Sequence, residues 1–500
     1  MRDNIIAAVR RALAGYPAAA ALRKDWTSPA NATTGIAMYD LEAPSKKLYP
    51  VITPLRNRIP RVSAEGGIQA NWRAITGINV TGVRSGVGQG NRGGVIQTST
   101  ADYIAAYRQL GLEDFVTFEA DLASRGFESV KALAVMGLLN SLMIEEEAII
   151  LGGNSSLALG TTPTPSLSTA TTGGTLAAAT YSVICIALTL DGYRASQVSA
   201  TGVPGLITRT NADGTQDTYG GGAALQSASA TIATTGSTST VSATVTPVVG
   251  ASAYAWYFGA AGSERLRAIT TINSNVFTNN TGGTNQLASA QNTLAGSADQ
   301  SKNLLIHDGI FTMVQNPTYN GKLTFMPTGT AGTGTPLTSD NAGGIVEFDT
   351  MLQYFWDVLR LSPTDIYVSS QQMKDIGKKV LGATSTAAQR FSFVYTNQGA
   401  LAGGIMVKSY LNPYGMNGAQ EIPIHLHPNI PPGTVMFYCD ALPYPLSNVT
   451  NVLQIRTRRD YHQLEWPLRT RKYEYGVYSD QVLQNFFPPS FGLLQNIAPG

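Results

Sequence analysis

Charged residues are scarce in this chain, and neither sign predominates. Only 13% of its 500 residues are Asp, Glu, Lys or Arg, and the formal net charge is +2. Proteins that read nucleic acid usually carry a basic surplus, because each neutralised phosphate needs a cation. The composition therefore argues against a dedicated nucleic-acid reader. The hydrophobic share of 43% still predicts a folded protein, and the length predicts roughly two to four domains at ~150 residues each.

Cysteine and histidine are scarce too. Cys185 and Cys439 lie far apart, which gives neither a disulfide framework nor a zinc knuckle, so we expect two buried free thiols. Four histidines leave few ways to build a Ser/His/Asp or Cys/His set, and no such set has local support. We therefore expect a protein that is not an enzyme, with no catalytic residues and no cofactor.

Long hydrophobic runs are also missing. No stretch approaches the ~18 apolar residues of a membrane helix, and the nearest candidate, 132–151, is interrupted by three glutamates at 145–147. Arg10 and Arg11 stand where a secretion signal needs an unbroken apolar core, so the first residues predict a short amphipathic helix. We expect a protein that is made and kept in a cytoplasm.

The first 112 residues predict an arm followed by a hairpin. Residues 1–60 are punctuated by prolines, which remove backbone donors and favour extended conformations suited to lying across a neighbour. Residues 61–112 contain the alternating run IQANWRAITGINV, the glycine-rich tip GVGQGNRGG and the return run VIQTSTADY. The alternation places on one face the side chains of Ile68, Ala70, Trp72, Ala74 and Thr76. The hairpin is too polar to form an isolated core, so it needs a partner surface.

The strongest helical signal lies within residues 113–160. The run SVKALAVMGLLNSLMIEEEAIILGG is dense in helix formers and ends at two glycines that stop a helix. The preceding segment EDFVTFEADLAS predicts a second helix that stops near Gly126. Glu145, Glu146 and Glu147 fan around the long helix and cannot form a facing acid pair. We expect them on its solvated or intersubunit face.

The density of charged residues is lower still between residues 161 and 300. This segment holds nine charged residues, under half the density of the rest of the chain. Thr/Pro-rich and Gly/Thr/Asn-rich stretches flank this segment and predict a separate module. The runs TYSVICIALTL, ATVTPVVGASAYAWYFG and RLRAITTI predict strands, and Asp191-Gly192 and Asp213-Gly214 predict turns. These pieces resemble the strand pairs of fibronectin type III or immunoglobulin-like sandwiches.

Residues 301–500 return to mixed structure. GGIVEFDTMLQYFWDVLR predicts an amphipathic helix, DIYVSS a strand and QQMKDIGKKVLG a polar helix. The strands GIMVKSYL, EIPIHLH and GTVMFYC follow, and two basic alternating strands, NVLQIRTRRDY and PLRTRKYEYGVYSDQV, close the chain. This order predicts an α+β fold around an antiparallel sheet.

The same order of elements resembles the Hong Kong 97 capsid fold of tailed bacteriophages, and DIYVSSQQMKDIGKKV is the most family-like stretch. The resemblance covers about the whole chain except the module at 161–300. It implies the following division: an N-terminal arm at 1–60, an extended-loop hairpin at 61–112, a spine helix and peripheral domain at 113–160, an inserted immunoglobulin-like domain at 161–300, an axial domain at 301–450, and peripheral return strands with the C-terminus at 451–500.

The resemblance implies a major capsid protein that self-assembles as hexamers and pentamers into an icosahedral head around double-stranded DNA, with the insertion exposed on the surface. The implied partners are further copies of itself, a portal protein, scaffolding or decoration proteins and, non-specifically, packaged DNA, with no membrane. The implied location is the virion, assembled in the host bacterial cytoplasm. A proline-rich arm and an unsupported hairpin fit this, because they bury surface only in a lattice. The alternative is a phage tail or surface adhesion protein whose β-module binds the host surface.

Two short patterns resemble ligand-binding motifs. Residues 88–93 fit GxGxxG, but polar residues precede them and no helix follows, so they predict a flexible hairpin tip and no dinucleotide site. The tip residues singled out are Gly88, Gly90, Arg92 and Gly93. His425 and His427 share one face of a predicted strand, a spacing that can clamp a metal. No HxxE or CxxC accompanies them, so we expect packed or surface histidines and no metal.

The closing strands carry four arginines at a spacing of two: Arg456, Arg458, Arg469 and Arg471. At this spacing each pair points from one face of its strand. The four are candidates for intersubunit salt bridges or for an inner wall that faces packaged DNA. Ordinary solvated strand faces are the alternative.

Overall fold

The computed structural model describes residues 45–125, 128–295, 298–381, 394–395, 401–402, 407–415 and 418–500. The predicted N-terminal helix and most of the predicted arm lie outside these residues. Among the described residues, 45–53, 111–144 and 462–478 form one compact unit, and 54–110, 145–461 and 479–500 form a second. No helix within the described ranges has the length and apolarity needed to cross a membrane.

The helices of the described residues are α1 (Pro54–Arg58), α2 (Phe118–Ala123), α3 (Val130–Gly152), α4 (Leu190–Ala195), α5 (Ala288–Ala295), α6 (Ile310–Gln315), α7 (Val346–Leu359) and α8 (Ser370–Leu381). The longest, α3, ends at Gly152, where the two glycines predict a stop. Glycine is needed there, because a Cβ on Gly153 would come within 2.4 Å of the carbonyl oxygen of His307.

Seven sheets are present among the described residues, and three of them are two-stranded pairs. The N- and C-terminal strands form a four-stranded sheet of order β1-β21-β22-β4: β1 (Arg61–Ser63), β21 (Leu453–Glu465), β22 (Lys472–Asn485) and β4 (Arg108–Thr117). The predicted hairpin is the antiparallel pair β2 (Gln69–Gly77) and β3 (Ser99–Ala106). A second short pair is β16 (Val394–Tyr395) and β17 (Leu401–Ala402).

A six-stranded mixed sheet has the order β14-β23-β20-β15-β19-β18. Its strands are β14 (Lys322–Phe325), β15 (Asp365–Val368), β18 (Ser409–Asn412), β19 (Gln420–Leu426), β20 (Val435–Tyr438) and β23 (Gly492–Gln495). The predicted sheet is antiparallel, but β15 runs parallel to β19 and β14 runs parallel to β23. Phe348, Leu352 and Phe355 on α7 pack against Ile366 and Phe437 of the sheet, as the amphipathic pattern predicts.

Two sheets form within residues 161–300. One has the order β13-β10-β5, with β5 (Ser166–Ala170), β10 (Thr240–Thr244) and β13 (Ser274–Phe277). The other has the order β12-β11-β6-β9, with β6 (Thr180–Leu188), β9 (Ala230–Ala233), β11 (Ala253–Gly259) and β12 (Arg265–Thr270). A two-stranded pair, β7 (Leu206–Thr210) and β8 (Gln216–Gly220), accompanies them.

Strand β6 is buried on both faces, which explains its continuous apolar run. Val183 and Cys185 pack with Val241 of the three-stranded sheet in one core. Ile184 and Ile186 pack on the opposite face in a second core. The three- and four-stranded sheets therefore share a core as two layers of a sandwich, and the immunoglobulin-like assignment of residues 161–300 stays a prediction.

Hydrogen bonds and shared core packing connect the sandwich to the rest of the second unit. The backbone N–H of Asn273 donates to Oδ1 of Asn496 at 2.8 Å. Nδ2 of Asn273 donates to Oγ1 of Thr328 at 2.8 Å. Leu190 on α4 lies in the same core as Leu55 and Ile150, outside the predicted module. The side chains of 161–300 thus contribute to packing beyond their own segment.

Two local predictions are wrong. Asp191 and Gly192 lie inside α4 and form no hairpin turn, because the Thr189 side chain caps a helix there by accepting the N–H of Gly192. Residues 113–117, predicted as helix, belong to strand β4, and the helix starts only at Phe118. The predicted turn at Asp213-Gly214 is confirmed, since Gly214 has a φ of +86° between β7 and β8.

Candidate functional site

The hairpin β2–β3 has two different faces. On the inner face, Trp72 stacks on Tyr103 with ring centroids 5.7 Å apart and meets the edge of Phe486 at 6.1 Å. Trp72 and the buried Ala70 belong to the face that the sequence alternation predicts, whereas Ile68 and Thr76, predicted on the same face, are exposed. On the outer face, Arg73 pairs with Asp102 across the strands at 2.5 Å, with both side chains more than half exposed. The inner face is therefore covered from Ala70 to Ala74, and the outer face is open to solvent.

Exposed apolar side chains are concentrated along this hairpin and its tip. Eight of them are more than half exposed: Ile68, Ile75, Ile78, Val80, Val87, Val95, Ile96 and Ile104. Exposed apolar side chains gathered in one part of a protein commonly mark a surface that binds something. We call these eight residues the hairpin apolar surface.

The glycine-rich tip connects the two strands, as predicted. The N–H of Asn91 donates to the carbonyl oxygen of Gly88 at 3.0 Å, and Gly90 has a φ of +84° that favours glycine. Gly88, Gly90, Arg92 and Gly93 are all exposed, and the next regular element is β3. This context lacks the helix that a dinucleotide site needs.

Two of the three consecutive glutamates are buried, so their predicted solvated or intersubunit position is wrong. The side chains of Glu146 and Glu147 are 1% and 0% exposed. Glu147 accepts the backbone N–H groups of Leu55 and Arg56, at 3.0 and 2.7 Å, and lies 2.6 Å from Nε2 of His427. The carboxylate of Glu147 therefore holds the first turn of α1 against the end of α3.

Glu146 has partners from three parts of the chain. Its carboxylate accepts from Arg61 at 2.6 Å, from Arg56 at 3.3 Å and from Nε2 of Gln481 at 2.7 Å, and the hydroxyl of Tyr461 also donates to it. The guanidinium groups of Arg56 and Arg61 lie over the Tyr461 ring, 5.1 and 4.6 Å from its centroid. A buried carboxylate with this many donors is fully compensated in charge and hydrogen bonding.

Arg58 completes the cluster on the other side of α1. It donates to both Asp365 and Asp440 and, at 3.1 Å, to the hydroxyl of Tyr367. Burial alone would raise the pKa of Asp365, but the hydrogen bond and charge of Arg58, with bonds from Thr364 and His425, outweigh it and hold that pKa below its usual value. Burial alone would lower the pKa of Arg58, and the two carboxylates raise it instead.

We call these residues the buried charge cluster: Arg56, Arg58, Arg61, Glu146, Glu147, Asp365, His427, Asp440 and Tyr461. The cluster fixes α1 and the start of β1, which pairs in parallel with Ile455–Thr457 of β21. The hairpin begins a few residues later along the chain. The cluster thus anchors the segment that precedes the hairpin in the chain.

His425 and His427 each lie beside a carboxylate. Nε2 of His425 is 2.8 Å from Oδ1 of Asp365, and Nε2 of His427 is 2.6 Å from Oε1 of Glu147. The two histidines therefore have separate partners and do not converge on one point. Across the described residues, no group of three His, Cys, Asp or Glu side chains has the arrangement to hold a metal ion.

The four candidate arginines do not form one surface. Arg456 and Arg458 lie on β21, as predicted, and Arg458 pairs with Asp480 at 2.9 Å. Arg469 and Arg471 precede β22, which begins only at Lys472, so their predicted place on a strand is wrong. Arg471 is 81% exposed and pairs with Glu119 at 2.6 Å. No local pattern indicates the buried charge cluster, because its ion pairs join residues that are 85 to 382 positions apart in the sequence.

Solved structures similar to this chain include capsids of phages and of a GTA particle. The cyanophage A-1(L) capsid has 10% identity and a TM-score of 0.45 over 94% of this chain and 99% of that chain. The capsid of Myoviridae phage XM1 has 10% identity and a TM-score of 0.40 over 97% and 99%. The capsid of the native GTA particle has 8% identity and a TM-score of 0.41 over 95% and 100%.

No protein-family model matches the chain, and no curated protein matches it. At these identities and TM-scores, likeness to the solved capsids assigns no function. The function is therefore inferred from the residues of this chain.

Proposed function

We propose that this protein is a major capsid protein of a tailed bacteriophage, which self-assembles as hexamers and pentamers into an icosahedral head around double-stranded DNA. The observation that carries the proposal is the hairpin apolar surface, with Ile75 and Ile104 each about two-thirds exposed on the outer face. Exposing these apolar side chains to water is unfavourable in free energy for a monomer. A lattice in which each hairpin lies over a neighbouring subunit buries it.

The buried charge cluster supports the same proposal. A projecting hairpin meets its neighbour at a defined place only if its base is rigid. Arg56, Arg58 and Arg61 supply that rigidity, because each is bound to a buried carboxylate of another element. The base of the hairpin is thus held before assembly begins, and less ordering remains to be done at the interface.

In this proposal the four arginines have different roles. Arg458 is engaged by Asp480 and stiffens the strand pair at the base of the hairpin. Arg469 and Arg471 lie on an exposed loop, and they contact a neighbouring subunit or packaged DNA without reading its sequence. With a net charge of only +2, the chain as a whole is suited to weak contact with DNA.

Residues 161–300 are proposed to form an immunoglobulin-like domain on the outer surface of the head. The two-layered packing of β6 and β11 against β10 supports a sandwich. The second candidate function is a phage tail or surface adhesion protein in which this module binds the host surface. The large share of the chain devoted to the module favours that candidate, whereas the hairpin apolar surface favours the capsid.

The proposal also assigns partners and a location. The main partner is the chain itself, with a portal protein and scaffolding or decoration proteins at the same head. Assembly takes place in the host bacterial cytoplasm, and the product is part of the virion. The chain acts through packing and not through catalysis.

Electron microscopy and sedimentation of the purified full chain test the proposal. We expect shells or capsomer rings that sediment far faster than a 52.9 kDa monomer. A chain that stays monomeric at high concentration contradicts the capsid proposal. If that monomer also binds to bacterial surfaces, the adhesion candidate replaces it. Deletion of 161–300 is a poor test, because it removes Leu190 from a core outside the module.

A further inference from the structure

The part of α3 that belongs to the first unit, residues 130–144, is apolar on nearly all sides. Only three of its side chains are polar. A helix that is apolar all round is normally buried all round. In this part of α3, however, only Leu138 and Leu142 are buried. Much of its apolar surface is therefore still accessible to solvent.

An apolar stripe lies on another side of the helix from these two leucines. It is formed by Ala132, Met136, Leu139 and Met143, whose spacing of four, three and four residues places them along one face. Ala132 is exposed, Met136 is 45% exposed, and Leu139 and Met143 are partly buried. We call these four residues the α3 apolar stripe. Such a stripe on a surface helix normally packs against another element.

The segment that precedes α1 starts beside this stripe. The N–H of Ser45 donates to the carboxylate of Glu128 at 3.2 Å, just before α3. Nζ of Lys47 donates to Sδ of Met136 at 2.7 Å, on the stripe itself. The 44 residues that come before Ser45 in the sequence are therefore tethered next to the α3 apolar stripe.

The first of these residues have the chemistry of a partner for the stripe. The sequence predicts a short helix over residues 4–14, whose apolar face is formed by Ile5, Ile6, Val9 and Leu13. A helix of this length is about 16 Å long, and residues 130–144 extend over about 22 Å. The apolar face of the segment therefore matches the stripe in character and fits within its length.

The connecting chain is long enough for the segment to reach the stripe of its own subunit. Residues 15–44 separate the two. A flexible chain of this length spans roughly 30 Å on average and roughly 100 Å when fully extended. A tether of this kind holds the segment at an effective concentration of about a millimolar. This favours the segment of the same chain over that of a second copy at lower concentration.

We propose that residues 4–14 form a helix that packs with its apolar face on the α3 apolar stripe of the same chain. Arg10 and Arg11 then lie on the other sides of this helix, in contact with solvent. The side chains of Met136 and Met143 are flexible and adapt readily to an apolar partner. The proposal does not rest on the capsid proposal, because the segment and the stripe belong to one chain.

Crosslinking of the full chain tests this proposal. The double variant Val9→Cys/Met136→Cys places one thiol on each apolar face, and the natural cysteines are buried and do not compete. With a short bismaleimide, we expect a crosslink between positions 9 and 136 in chains that still migrate as monomers on a denaturing gel. The matched control is Ala7→Cys/Met136→Cys, because position 7 lies on the opposite side of the predicted helix. We expect several times less crosslink from it.

Two outcomes of this experiment contradict the proposal. Equal yields from the two double variants would show that the segment does not dock through its apolar face. Crosslinked dimers in place of crosslinked monomers would show that the segment covers the stripe of another copy.

Oxidation of the natural methionines provides a second measurement without new cysteines. Peroxide must reach the sulfur atom to form the sulfoxide, so a docked helix slows the oxidation of Met136. We expect Val9→Asp to raise the rate at Met136 several-fold, because charge on the apolar face prevents docking, and Ala7→Asp to leave it unchanged. Met351, which is 1% exposed, should stay slow in all three proteins and so report an intact fold. Equal rates at Met136 in Val9→Asp and wild type would overturn the proposal.

Discussion

Oε1 of Glu147 lies 2.6 Å from Nε2 of His427, and both side chains are completely buried. The same carboxylate accepts the first N–H groups of α1. Glu147 lies near the C-terminal end of α3, which stops at Gly152, and His427 directly follows β19. One carboxylate therefore joins a helix end, a strand end and the segment that leads into the hairpin.

Replacing this carboxylate is expected to destabilise the chain strongly. Glu147→Gln keeps the volume but removes the charge and leaves its donors poorly matched, so the free energy of unfolding should fall by about 3–5 kcal/mol. Urea denaturation followed by circular dichroism measures it. The control is Glu65→Gln at an exposed position, which should stay within about 0.5 kcal/mol of wild type. An equally small effect for Glu147→Gln would show that the buried contacts contribute little.

Asp365 gives the fold a stability that acid removes. Its folded pKa lies below the unfolded value of 3.8, so above pH 3.8 the folded state keeps the full benefit of the ion pair with Arg58. As the pH falls from 3.8 through the folded pKa, the unfolded chain binds the proton first and stability declines. When denaturation is measured at pH 7, 4 and 3, the free energy of unfolding should fall less with pH for Asp365→Asn than for wild type. Asp357→Asn, on the exposed side of α7, should decline like wild type.

His307 should make the free energy of unfolding depend on pH in a higher range than Asp365 does. Burial lowers its folded pKa below 6.5, so above pH 6.5 the ring is neutral in both states and contributes nothing to the pH dependence. Below pH 6.5 the unfolded chain binds a proton that the folded chain excludes, and the free energy of unfolding falls. The difference between wild type and His307→Asn isolates this residue from the other histidines. A difference that stays constant between pH 7.5 and 5 contradicts the assignment of a neutral buried ring.

Local signals in the sequence are enough to place several elements. The alternation around Trp72 predicts the hairpin and its inner face, and the glycine pair after Leu151 predicts the end of α3. Both depend on residues within one turn or one strand. The apolar period of α7 succeeds for the same reason, because Phe348, Leu352 and Phe355 recur at helical spacing.

Features that depend on distant partners cannot be predicted in this way. Glu146 and Glu147 look solvated in the sequence, since the groups that compensate them, such as Arg61 and His427, come from far along the chain. Residues 113–117 carry a helix-like pattern but are recruited into the sheet beside β22.

The hairpin apolar surface gives the sharpest test of assembly. Ile75→Asp and Ile104→Asp place charge on the outer face, where neither side chain supports the fold, since they are 69% and 67% exposed. The free energy of unfolding of each variant should stay within about 0.5 kcal/mol of the wild-type value. Each variant should nevertheless fail to form particles, because every contact in a lattice would bury an unpaired carboxylate. Sedimentation velocity measures assembly. Leu446→Asp is the matched control, since Leu446 is 97% exposed outside the hairpin and should leave assembly intact. Normal particles from both hairpin variants would show that this surface is not the one that joins subunits.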